Sequence, residues 1–212
     1  MIELDVQLSR DGELVVIHDF HLERTTNGSG AVQDQDWAAL KQLDAGTWFS
    51  QEYAGQRVLT LDDVVDLVGD RARLNVEIKA AGDLRESLPD KVVRLLADRD
   101  LLGTTIVSSF DEDVLRAARV QSESLAIGVL THQPDLIPAW AVARELRAVS
   151  IHPYWAFVTP EIIERSHDNG IDVIVWTVNE VDAMEALIAQ GVDGIISDYP
   201  ERFSLVGTTS AG

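Results

Sequence analysis

From Thr60 to Ser197 the chain alternates short β-branched runs with amphipathic helical stretches, and this alternation constrains the fold more than any single motif. The runs at 73–79, 104–109, 124–130, 148–152, 172–178 and 193–197 read as strands. Between them, Thr60 is placed to cap a helix with Leu61, Val64, Val65 and Val68 on one face. Leu88, Val92, Leu95 and Leu96 mark the next helix, and Asp111 caps one that uses Val114, Leu115 and Ala118. A further helix falls near 136–146. Thr159-Pro160 opens another, closed by Gly170, and Asn179 is placed to cap one that ends at Gly191. Strand–helix units of about 20–30 residues imply parallel strands joined by helical crossovers. An α/β barrel and a doubly wound open sheet both satisfy that pattern. No glycine-rich phosphate loop follows any strand, which disfavours the open sheet.

The N-terminus adds a seventh barrel strand at 2–8. Ile2, Leu4 and Val6 alternate with Glu3, Asp5 and Gln7, so Glu3 and Asp5 leave the same face one pleat apart, a natural grip for a hard divalent cation. Asp11-Gly12 signals a tight turn. Residues 14–17 form an extra hairpin strand that delivers His18 and Asp19. A surface hairpin with a polar outer face is the alternative. Strand 73–79 repeats the logic: Val76 and Ile78 face one way, Asn75, Glu77 and Lys79 the other. Three polar groups on one face are costly in a sealed core unless they line a polar site. In a barrel they point inward, towards the C-terminal mouth where active sites sit. Glu3, Asp5 and Glu77 then make an oxygen-only site suited to Mg2+ or Ca2+ rather than zinc. A structural ion pair between Glu77 and Lys79 is the competing explanation. His18 is a candidate general acid or base, because imidazole titrates near neutral pH. Asp19 either orients it or binds substrate. Ser109, Phe110 and His152 also end strands and are weaker candidates; His21, His132 and His167 receive no role.

Residues 20–58 show little periodicity and carry Trp37, Trp48, Phe49 and Tyr53 between glycines. Loops of this length are usually functional. The segment is expected to pack over the barrel mouth through its aromatics, against the alternative of a compact surface loop. The whole, residues 1–205, is expected to be one domain with a frayed tail at 206–212. With 17 Lys and Arg against 36 Asp and Glu, the formal charge is −19. Such a field repels nucleic acid and anionic membrane surfaces. It also repels a phosphodiester, so a phosphate-handling enzyme of this charge needs a local cation. No apolar run approaches the ~20 residues that span a bilayer. The absence of cysteine excludes disulfides and thiolate chemistry and fits a cytoplasmic protein.

Glu3-Leu-Asp5, Asp11-Gly12 and His18-Asp19, followed by Leu22, Arg24, Thr25, Thr26, Asn27 and Gly28, resemble the core signature of the glycerophosphodiester phosphodiesterase family. Leu43 to Phe49 with Tyr53 and Gly55, Asn75 to Lys79, Val175 to Asn179 and Gly191 to Pro200 resemble further blocks of that family, in its order. The resemblance implies a TIM (β/α)8-type barrel with an insertion after the first strand-hairpin. It implies one divalent cation held by Glu3, Asp5 and Glu77, a phosphate-contacting Lys79, and His18 as one acid/base. Trp176 would wall a glycerol moiety or serve as a core tryptophan. The implied reaction is metal-assisted cleavage of a small glycerophosphodiester to sn-glycerol 3-phosphate and an alcohol, a step of lipid and glycerol metabolism. A glycerol hydroxyl attacks phosphorus, one histidine takes its proton and another protonates the leaving oxygen; hydrolysis of the cyclic intermediate then follows.

The family also opens with a strand ending His-Arg-Gly and a following Pro-Glu-Asn loop, and neither occurs here. Seven barrel strands and two missing blocks point to the same gap, a first βα unit ahead of Met1. The expectation is a chain less stable than an upstream-extended version and prone to self-association through open barrel edges at 2–8 and 193–197. It would have little turnover of its own, leaving either a metal- and glycerol-phosphate-binding remnant or a fragment completed by a partner.

Overall fold

The computed structural model describes residues 1–206 apart from Ala81 and Asp83. It divides into two compact units, residues 1–126 and 127–212. In the first, β1 (Ile2–Leu8), β2 (Leu14–Val16), β3 (Leu59–Thr60), β4 (Leu74–Ile78) and β5 (Ile106–Ser109) lie in the order β3-β2-β1-β4-β5. The helices are α1 (Trp37–Leu40), α2 (Leu61–Val68), α3 (Leu84–Asp98) and α4 (Glu112–Gln121). β1 runs parallel to β4, and β4 parallel to β5. The β1–β4 register sets Glu3 beside Asn75 and Asp5 beside Glu77. Residues paired across a ladder share a face, so the polar groups of the two strands collect on one side, as their parity predicts.

The second unit carries β6 (Ala126–Thr131), β7 (Ser150–Pro153), β8 (Asp172–Val175) and β9 (Gly194–Ile195), with α5 (Ile137–Glu145), α6 (Pro160–Asp168) and α7 (Val181–Gln190). Its strand pairs are parallel throughout. All seven expected parallel strands are present. The apolar runs of β6 and β8 are largely buried, which is why they read as β-branched blocks, whereas β1 and β4 alternate apolar with polar residues. Among the described residues, no helix is long and apolar enough to cross a membrane.

The helix starts follow capping chemistry. Thr60 and Asp63 form a reciprocal capping box at α2, and Leu61, Val64, Val65 and Val68 are its buried face. Each such side chain contributes roughly 1.5–3 kcal/mol by burial. Asp111 caps α4 through the Asp113 N–H. Asn179 does not cap α7. Glu180 holds that position, while the Asn179 side chain accepts from Asp198 N and Ser197 Oγ. A strand-end amide has two places to spend its hydrogen bonds, and here the loop after β9 takes them.

Two further expectations change. The edge of β1 is not open along 2–8, because β2 pairs antiparallel with Val6 to Leu8 and Ile17 N–H donates to Asp5 O at 3.0 Å. A β3 of only two residues, too short for a periodic signal, then covers β2. Second, three of the four aromatics named in the 20–58 segment do not hold it down. It packs on an aliphatic cluster of Val15, Ile17, Leu22, Val32, Leu40 and Val58, with Trp37 and Leu43 against it. Trp48, Phe49 and Tyr53 are instead exposed and stack edge-on, with centroids 5.7 and 5.6 Å apart. Most of the expected tail, residues 207–212, lies outside the described residues.

What shapes the aromatic loop is Asp44. Its carboxylate accepts from the N–H groups of Thr47, Gly55 and Gly46 and from the Thr47 hydroxyl, which holds it well below the usual carboxylate range. Gly46 is obligatory here, since a Cβ would sit 1.9 Å from the Tyr53 carbonyl oxygen. Gly46→Ala should therefore lower stability by about 1–3 kcal/mol through overpacking. A denaturant midpoint unchanged from the parent would show that the loop yields freely.

Candidate active site

β1 and β4 build the site. Glu3, Asp5 and Glu77 each offer a carboxylate oxygen, and these oxygens lie within 4.8 Å of one another. Two oxygens on one Mg2+ or Ca2+ can be up to about 4–5 Å apart, given bonds of roughly 2.0–2.6 Å. The cluster thus fits a single hard cation, and its all-oxygen chemistry suits Mg2+ or Ca2+. Lys79, one residue beyond β4, reaches back into it, with Nζ 2.8 Å from Glu77 Oε1 and 3.2 Å from Asp5 Oδ1. Burial raises the Glu77 carboxyl above its ordinary value against the pull of Lys79. Burial acts to lower Lys79, but Glu77 and Asp5 outweigh it and keep the ammonium above its ordinary value, fully charged. Three carboxylates and one ammonium leave a formal −2, the charge that one divalent ion cancels. Below them on the same face, Asn75 is buried and accepts from Ser108 Oγ at 2.9 Å.

His18 stands on the loop after β2, with its imidazole exposed and Nδ1 2.6 Å from Asp19 Oδ1. Arg24 grips both Asp19 oxygens, through Nε at 2.5 Å and Nη2 at 2.8 Å. That pair, followed by the His18 bond, holds the Asp19 carboxyl far below its ordinary range despite partial burial. Its folded value lies under its unfolded one, so its contribution to stability is present above about pH 4 and lost as pH falls through the folded value. Asp19 is therefore ionised at neutral pH. A carboxylate at Nδ1 makes that nitrogen the donor and leaves Nε2 as the free base.

A residue that sequence reasoning passed over fixes this loop. Buried Gln7, on the same strand as Glu3 and Asp5, donates through Nε2 to the carbonyls of Ile17, His18 and Asp19 at 2.9, 3.1 and 2.8 Å. One amide thus couples the strand that carries Glu3 and Asp5 to the histidine loop. Alternation marked Gln7 as inward-facing, but no spacing rule identifies a partner ten residues on.

Trp176 belongs to the second unit and is described there alone. Its Nε1 donates to the His152 carbonyl at 2.7 Å, and its ring meets Tyr154 edge-on at 5.6 Å. Tyr154 also stacks on Trp155 and Phe157, so Trp176 is one member of an aromatic cluster. His152 is fully buried, and burial pushes its pKa down to about 3. It stays neutral at ordinary pH and serves poorly as a proton donor.

The sequence profile of the glycerophosphoryl diester phosphodiesterase family matches residues 1–202. A glycerophosphodiester phosphodiesterase of Caldanaerobacter subterraneus is 41% identical over 201 residues, covering 94% of this chain and 82% of that protein. One of Bacillus subtilis is 32% identical, covering 97% and 75%. Among solved structures, an Oleispira antarctica phosphodiesterase in complex with the product sn-glycerol 3-phosphate superposes with a TM-score of 0.89 at 30% identity, covering 96% of this chain and 83% of that one. A glycerophosphodiester phosphodiesterase of Agrobacterium tumefaciens gives 0.83 at 30% identity, covering 97% and 86%. These likenesses and the parallel strand–helix alternation identify the fold as an α/β barrel type.

Proposed function

The chain belongs to the glycerophosphoryl diester phosphodiesterase family, and we propose that residues 1–205 act as one domain that hydrolyses glycerophosphodiesters to sn-glycerol 3-phosphate and an alcohol. The observation that carries the reading is the Glu3, Asp5 and Glu77 cluster with Lys79 inside it. Glu3, Asp5 and Glu77 are the residues that would hold one Mg2+ or Ca2+, which supplies orientation and charge neutralisation to a phosphodiester when bound.

The chain's own groups do the rest. Lys79, held cationic, donates to a phosphate oxygen. His18, oriented through Nδ1 by Asp19 and Arg24, exchanges a proton at Nε2 with the attacking or leaving oxygen. Gln7 keeps that imidazole in register with the cluster. Trp176, in the second unit, is a candidate apolar face for a glycerol moiety. The test is release of sn-glycerol 3-phosphate from glycerophosphocholine after chelation and after adding back Mg2+ or Ca2+. Turnover that survives chelation unchanged would remove the metal from the reading.

A second reading is a chain that binds the cation and glycerol phosphate but turns over only with a further polypeptide segment. It is favoured by the histidines: a two-imidazole scheme needs a partner for His18, and His152 is buried and neutral. Tight binding of sn-glycerol 3-phosphate without turnover, together with oligomers in solution, would select it. Pairing through β9 is the edge this reading uses, since β1 is already covered at Val6 to Leu8.

A further inference from the structure

A cavity of about 280 Å³ opens beside Lys79, on the side where the 20–58 segment meets the start of α3. Leu8 and Leu84 give it apolar walls, Phe20 an aromatic face, and His21 and Gln33 its polar groups. Nothing in the reaction as derived uses these four side chains beyond β1, and His21 had no role in the sequence reading. Resting on the function proposed above, we infer that this cavity seats the leaving alcohol and favours an uncharged, hydroxyl-bearing alcohol over a quaternary ammonium one.

Position is the first argument. Lys79 belongs to both places: its Nζ touches Asp5 and Glu77, and its side chain walls the cavity. A phosphate held at Lys79 has one ester arm at the acidic cluster and leaves the other free to enter the cavity. Size is the second. At about 280 Å³ the space is at the small end of ligand cavities, roughly 300–1,000 Å³. It suits a short polyol and not an acyl chain. Charge is the third. Among the described residues no carboxylate lines the cavity, and Lys79, paired on its far side with Asp5 and Glu77, is the cation at its wall. A quaternary ammonium would meet that charge with one phenyl ring for compensation, where good sites build an aromatic cage. Hydroxyl groups fare better. The Gln33 amide and the His21 imidazole make no side-chain hydrogen bond among the described residues, so both remain available to a ligand.

The test is titration calorimetry on the 212-residue chain with Ca2+ present, using sn-glycerol 3-phosphate, glycerophosphoglycerol and glycerophosphocholine. Where a diester is cleaved during the titration, the ratio of kcat/KM values replaces the ratio of Kd values. Glycerophosphoglycerol should bind about three- to tenfold more tightly than glycerophosphocholine, the worth of one or two hydrogen bonds. Gln33→Ala should erase that ratio, and Gln33→Glu, which adds the missing carboxylate at an exposed position, should turn it towards choline. Neither substitution should move the affinity for sn-glycerol 3-phosphate, which has no second alcohol. If the product binds but the two diesters bind alike and Gln33→Glu leaves their ratio unchanged, the inference is overturned and the function stands. If the product itself does not bind, the functional reading fails and this inference falls with it.

Discussion

His18→Ala should lower the release of sn-glycerol 3-phosphate by about 10²–10⁴-fold in an active form of the enzyme, the usual worth of a positioned acid or base. Divalent-ion binding should survive. The reasons are geometric. The bonded partner of the His18 ring is Asp19, and Arg24 in turn fixes Asp19. Removing the ring therefore takes away the proposed proton-transfer group while the side chains of Glu3, Asp5 and Glu77 stay in place. Much of its imidazole is solvent-exposed, so stability should change little. Arg24→Ala supplies the control: it frees Asp19 and loosens His18, and it should alter the pH profile of turnover more than the affinity for the ion. Near-full activity in His18→Ala would assign proton transfer to another group.

The second large effect concerns Lys79. Its ammonium stands between Asp5 and Glu77, and all three side chains are only 10–15% exposed. Lys79→Met leaves Asp5 and Glu77, in a carboxylate group whose oxygens lie within 4.8 Å, without the ammonium that bridges them. Breaking such a pair from one side costs about 3–5 kcal/mol, because the charge left behind stays buried and uncompensated. The lower end suits a cluster that is not fully sealed, so about 3 kcal/mol is expected in chelator. A saturating divalent ion should return most of that loss, since it supplies positive charge to the same oxygens. Turnover should remain low even then, because the phosphate has lost its donor. Chemical denaturation with and without Ca2+ reads the first effect, and the rate assay reads the second. Equal destabilisation in chelator and in Ca2+ would mean that the ion does not reach this cluster.

Much of this site is legible before any coordinates. The parity of Glu3 and Asp5, and of Asn75, Glu77 and Lys79, survives into the fold because a parallel ladder carries residue alternation across strands unchanged. The seven parallel strands are equally legible, among them β6 and β8 by their apolar runs and β1 and β4 by their alternation. What is not legible depends on partners far along the chain. Gln7 looks like any inward amide until its three carbonyl acceptors are seen. Trp48, Phe49 and Tyr53 invited a packing role by their composition, yet aliphatic residues beneath them fill the insertion's core and leave the rings outside. β3 is too short to carry a period. Phe20, His21 and Gln33 have no motif at all; only the fold of the 20–58 segment brings them beside Lys79.

If Glu3, Asp5 and Glu77 hold one divalent cation, thermal melting against increasing Mg2+ or Ca2+ will report it. An ion that binds only the folded state stabilises it by about 2.7 kcal/mol at a hundredfold excess over Kd. For a chain of this length that is a rise of roughly 5–10 °C in Tm. The account predicts that rise in the parent protein and its disappearance in the Asp5→Asn, Glu77→Gln double variant. A Tm indifferent to millimolar ion, or a rise that persists undiminished in the double variant, would contradict it.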